Sequence, residues 1–118
     1  MHLNNYNKTN LYYRTFKSLE KLSIFAIQEN QISDFKKYFE KMSNYYDKVN
    51  YCDKEDTIRN ISFAIEDHND NNLSCEILRF MLDILIDKSL DREVMNTGVL
   101  FAKALFNLNK NAELGKVI

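Results

Sequence analysis

The side chains best suited to chemistry in this chain are a histidine, two cysteines and one run of lysines and tyrosines. His68 stands in Glu66-Asp67-His68-Asn69-Asp70, and a ring nitrogen among carboxylates is the raw material of a divalent-metal site. The other histidine, His2, lies far away in sequence, and the spacings typical of metal-binding loops are absent. No metal is therefore expected, and His68 reads as a solvated turn residue that suits a helix C-terminus when protonated. Cys52 precedes Asp53, whose carboxylate disfavours a thiolate. Cys75 falls in the first turn of an expected helix, which favours one, but Glu76 adjoins it. A catalytic cysteine needs a base and an electropositive pocket, so both thiols are expected to pack or to sit at the surface.

Lys36, Lys37 and Lys41 alternate with Tyr38 and Tyr45. Such a mixture can bind single-stranded nucleic acid by neutralising phosphates and stacking on bases. The whole chain carries a formal net charge of only −1, which argues against a dedicated nucleic-acid binder. The run is expected to be a solvated helix face whose tyrosines cover the core edge. With no acid–base pair, nucleophile constellation or glycine-rich phosphate loop, the chain is expected to be no enzyme and to need no cofactor.

The elements that must position these residues follow from composition and spacing. The chain has 118 residues, no proline, two glycines and 45% hydrophobic residues. Sandwiches and barrels punctuate their turns with Gly and Pro, so an all-β fold is excluded, and the apolar content excludes disorder. One all-α domain remains. Apolar spacing and polar breaks predict helices over about 11–29, 34–48, 54–67, 73–88 and 92–107, with a short sixth near Ala112. Ser33, Asp53 and Asp91 are the expected N-caps. Asx residues make the turns, at Asn30–Ser33, Asn50–Asp53, His68–Asn72 and Asn107–Asn111. Residues 1–10 are polar and lack the apolar core of a signal peptide, so they read as a flexible leader. No stretch is long and apolar enough to span a bilayer. With two cysteines and no disulfide framework, a cytoplasmic location is expected.

A period organises these helices. The dipeptides Phe25-Ala26, Phe63-Ala64 and Phe101-Ala102 recur every 38 residues. Phe35, Phe39, Met42 and Tyr46 map by the same offset onto Leu73, Ile77, Phe80 and Ile84, and Lys21 maps onto Arg59. A fixed period of this size marks stacked repeats. Each unit would be an αα-hairpin, with hairpins at about 11–50, 51–90 and 91–118. The fold class expected is a short α-solenoid or right-handed superhelix of stacked antiparallel αα-hairpins, with about five to six helices. Small Ala would let the two helices of a hairpin approach, with the Phe beside it filling the groove. Gly98, inside an apolar helix, is expected at a close helix–helix contact.

From Leu22 to Met42 the chain resembles a tetratricopeptide-type repeat. Leu22 and Ser23 hold that family's large–small pair of the first helix, and Phe39 holds the aromatic of the second. Asn30 and Gln31 stand at its turn, and Phe35 and Met42 at its two small positions. The resemblance implies that the first helices of successive hairpins line one concave surface, which would carry Lys17, Lys21, Gln28, Arg59, Ser62, Glu66, Asn96 and Lys103. It implies a non-catalytic module that binds a protein or peptide through a mixed-charge face. The alternative is a structural or regulatory oligomerisation domain, possibly a homodimer and possibly part of a larger protein. That alternative rests on a third hairpin that is barely begun when the sequence reaches Leu114, Val117 and Ile118.

Overall fold

The computed structural model describes residues 2–68, 70–87 and 91–117. It contains five α-helices: α1 (His2–Gln28), α2 (Ile32–Ser43), α3 (Tyr51–Asp67), α4 (Asn71–Asp87) and α5 (Asp91–Val117), with a 3₁₀ turn at Tyr46–Lys48. Among the described residues there is no strand. α1 packs against α2 and α3, α4 packs against α2 and α5, and α3 also meets α5. The helices thus lie in two layers, α1–α3–α5 and α2–α4. The molecule measures 69 × 28 × 18 Å, with a radius of gyration of 16.2 Å. A globule of this length would have about 13.5 Å, so the stack is elongated.

The helix ends show where local rules give way. α1 begins at His2, nine residues before the expected start. α5 runs unbroken through Asn107–Asn111, which was expected to be a turn. Asn costs a helix only a few tenths of a kcal/mol per residue, so an Asn-rich stretch without Pro breaks a helix only where packing demands it. Gln31, not Ser33, precedes α2, and it makes no side-chain cap bond. Asn50, not Asp53, caps α3: its side chain accepts from the Asp53 N–H at 2.9 Å, and Asp53 stands in the first turn. Asp70 does the same for α4, accepting from the Leu73 N–H at 3.1 Å. α5 itself starts at Asp91.

The turn between α1 and α2 is built without glycine. Asn30 has φ of 59°, the left-handed conformation that usually selects Gly after a helix. Gln31 N–H reaches back to Ala26 O at 2.8 Å and Asn30 N–H to Ile27 O at 3.2 Å, so two orphan carbonyls of α1 are satisfied.

The core follows the expected faces. Phe35, Phe39 and Met42 of α2 are buried, as are Ile58, Ile61 and Ile65 of α3 and Leu73, Ile77, Met81 and Leu85 of α4. Phe35 and Phe39 stack at 5.5 Å, and Phe80 of α4 meets them edge-on at 6.5 and 6.4 Å. This cluster joins α2 to α4. Phe16 packs edge-on to Tyr46 at 5.6 Å and closes the end of the α1–α2 pair.

The seam between α1 and α3 is polar. The Glu20 carboxylate, 5% exposed, accepts from Lys17 at 2.7 Å, from Asn60 at 3.1 Å and from the Thr57 hydroxyl. Burial pushes the Glu20 carboxyl pKa up, but its bonds to Lys17, Thr57 and Asn60 outweigh that and hold it below the usual range. Glu20 bridges to residues 37 and 40 positions away, about one period. Two other contacts join residues similarly far apart in sequence: Asn30 bonds His68, and Lys36 pairs with Glu76 at 3.2 Å.

Two expectations about the repeat are corrected. In the first two units Ala26 is buried and Ala64 partly buried, but Phe25 and Phe63 are 59% and 56% exposed. The phenylalanine does not fill the hairpin groove. Successive residues point about 100° apart on a helix, so the side that turns Ala inward turns Phe out. α5 reverses the pattern: Phe101 is partly buried, with Arg79 over its ring at 5.8 Å, and Ala102 is exposed. α5 is therefore rolled about its axis relative to α1 and α3, and it buries Thr97 and Ala104 instead. Gly98 makes no close contact either. A Cβ added there would meet nothing within 4 Å.

Candidate interaction surface

The exposed aromatic ladder is the first feature of the α1–α3–α5 layer. Phe25 and Phe63 occupy the same register on adjacent helices whose C-terminal ends lie together, as the Asn30–His68 bond requires. Each stands one helical turn after an exposed cation, Lys21 or Arg59. Residues four apart share a helix face, so the layer presents the same cation–Phe pair twice.

Beside this ladder, α3 and α5 stand apart and leave a groove of about 280 Å³. Ile58, Val99 and Leu100 give it apolar walls, and Arg59, Ser62 and Asn96 its polar groups. Glu55 spans it: its carboxylate lies 3.7 Å from Arg59 on its own helix and 3.7 Å from Arg92 on α5. Arg59 also pairs with Asp56 at 3.4 Å. Past Leu100 a smaller hollow of about 100 Å³ continues between Glu66, His68 and Lys103.

The structure divides the eight surface residues expected from sequence. Arg59, Ser62 and Asn96 meet in the groove, and Glu66 and Lys103 in its continuation. Lys21 and Gln28 are exposed on α1, away from it. Lys17 is engaged in the α1–α3 seam, donating to Glu20 and, at 3.3 Å, to Thr57. Ser62 donates to Ile58 O at 2.7 Å. Sequence reasoning did not single out Glu55, Arg92 or Val99. The signal for the first two was present, since Glu55 and Arg92 are 37 residues apart, within one residue of the period.

The other candidate groups are accounted for by packing. Lys36 pairs with Glu76 and lies 5.7 Å from the Phe80 ring centre, so the Lys36–Lys41 run is not one uniform cationic face. Tyr45 packs against Tyr12 at 5.9 Å, and Lys48 lies over Tyr12 at 5.3 Å. Cys52 and Cys75 are both free, and burial pushes the Cys75 thiol pKa up against the pull of Arg79. Among the described residues no three His, Cys, Asp or Glu side chains are placed to hold a metal ion. No described helix is long and apolar enough to cross a membrane. The side chains of Leu114, Val117 and Ile118 lie outside the described residues.

Comparisons with protein-family models, with curated proteins and with solved structures find no match to this chain.

Proposed function

We propose that this protein is a non-catalytic, tetratricopeptide-like helical-repeat module that binds a protein or peptide across its α1–α3–α5 layer. The observation that carries the reading is the repeated pair Lys21–Phe25 and Arg59–Phe63, with both rings more than half exposed. Aromatic residues, phenylalanine included, and arginine are enriched at protein interfaces. A cation and a ring repeated at one spacing suit an extended or helical segment with acidic groups and apolar side chains in alternation. The groove between α3 and α5 continues that surface, and its Ser62 and Asn96 offer hydrogen bonds to a polar backbone. Stacked hairpins present such surfaces by construction.

The test is selection of peptides from a random display library, followed by titration of the enriched peptides into the parent and two double variants. Selected peptides should be rich in Asp or Glu and in large apolar residues. Their affinity should fall at least tenfold for Lys21→Glu/Arg59→Glu and for Phe25→Ala/Phe63→Ala, both of which should keep the parent helical spectrum. Peptides that bind the folded double variants as well as the parent would overturn the assignment.

A further inference from the structure

The outer side of α5 carries an apolar stripe that no described residue covers: Met95 is 73% exposed, Val99 68% and Phe106 67%, with Ala102 exposed between them. By the 38-residue period, Met95, Val99 and Ala102 stand where Thr57, Ile61 and Ala64 pack in α3 and where Leu19, Ser23 and Ala26 pack in α1. The roll of α5 thus turns to solvent the register that its two predecessors bury. We propose that this stripe pairs with the same stripe of a second copy of the chain, as antiparallel α5 helices related by a two-fold axis.

The spacing of the stripe is its own mirror. Positions 95, 99, 102 and 106 are symmetric about the midpoint of residues 100 and 101. An antiparallel pair centred there sets Met95 against Phe106 of the second copy and Val99 against Ala102 of the second copy. Large meets large at the ends, and the smallest residue lies near the axis, where helices must come closest. This is the self-complementarity that an isologous interface demands, since each patch must serve as both partners. The four stripe residues are uncharged, and the nearest cations, Arg92 and Lys103, flank them at the rim where they stay in water. With ~150–250 Å² for a whole aromatic side chain and less for the aliphatic ones, the stripe exposes at most roughly 400 Å² per copy. Two copies would bury roughly 800 Å² from the stripe, below the ~1,200 Å² of the smaller stable interfaces, which fits a weak, reversible dimer. The stripe lies apart from the Lys21–Phe25 and Arg59–Phe63 pairs, which stand on other helices, and shares only Val99 with the groove between α3 and α5.

Sedimentation equilibrium on the full chain tests it, with Val99→Glu as the probe. The parent should be in reversible monomer–dimer exchange and largely dimeric at ~100 µM, and Val99→Glu should raise the dissociation constant at least tenfold. Val99 is exposed, so the variant should keep its helical circular dichroism; Met95→Glu serves as a second probe. Orientation is read by cross-linking in a background lacking Cys52 and Cys75. Met95→Cys mixed with Phe106→Cys should form disulfide-linked pairs, and either alone should not. A parent that stays monomeric at ~100 µM, a dimer that survives both substitutions, or Met95→Cys linking to itself would overturn the proposal.

Discussion

The Asn30 side-chain oxygen accepts a hydrogen bond from His68 Nε2, so the turn after α1 is fastened to the turn after α3, one period away. The Asp70 N–H donates to His68 Nδ1 at 3.3 Å, which leaves Nε2 as the protonated nitrogen. Asn30 therefore serves the local turn through its backbone and the neighbouring unit through its side chain.

These two roles separate on substitution. Asn30→Gly keeps the left-handed backbone and loses only an exposed bond, so chemical denaturation should show a change within about 0.5 kcal/mol. Asn30→Ala keeps a Cβ in the left-handed region but loses the amide that lets asparagine tolerate it, and should cost about 1 kcal/mol more than the glycine variant. Equal losses for the two would place the contribution in the bond to His68 and not in the backbone.

Glu20 should make stability depend on acid. Its folded pKa lies below the ordinary carboxyl value, so in that window the unfolded chain binds more protons and stability rises with pH. The contribution is fully present above the unfolded value of about 4.3 and is lost as pH falls through the lower folded value. Glu20→Gln should lower stability at pH 7 by about 1–3 kcal/mol and should flatten the acid limb of the stability–pH curve. An acid limb as steep as the parent's would assign the dependence to other carboxylates.

Gly98→Ala should stabilise the protein. Nothing lies within 4 Å of the added Cβ, and the residue sits inside α5, where alanine is favoured over glycine by roughly 0.5–1 kcal/mol. A rise in melting temperature checks this, and a fall would mean that α5 packs more closely there than this structure has it.

The two kinds of phenylalanine in the repeat should respond oppositely to truncation. Phe39 is fully buried between α2 and α4, so Phe39→Ala should cost about 3–5 kcal/mol. Phe25→Ala should change stability by no more than about 0.5 kcal/mol, because its ring already faces water. A large loss at Phe25 would argue against its assignment to a binding surface.

The helices and their buried faces were legible because period-3.6 spacing survives in any context: Phe35, Phe39 and Met42 are as buried as their spacing demands. Asn30 and His68, which meet at the two turns, stand one 38-residue period apart, a pairing that spacing alone did not single out. The roll of α5 was not legible. Its apolar residues nearly encircle it, so spacing alone cannot choose which side packs, and Phe101-Ala102 matches the earlier dipeptides while facing the other way. The caps failed for a related reason. Ser33, Asp53 and Asn50 are all competent, and the choice among them depends on where the preceding turn delivers the chain. The candidate surface was half readable: the cations of Lys21 and Arg59 stood out in the period, while the exposure of Phe25 and Phe63 beside them did not.

Val99 lines the α3–α5 groove from one side and stands in the α5 stripe on the other. Two surfaces that share a side chain can be coupled through it. If a ligand in the groove shifts Val99 and so changes how tightly a second copy packs on it, the second copy must change the ligand's affinity by the same factor. The protein's state of association would then report on whether its groove is filled. Its affinity for a ligand would in turn vary with its own concentration.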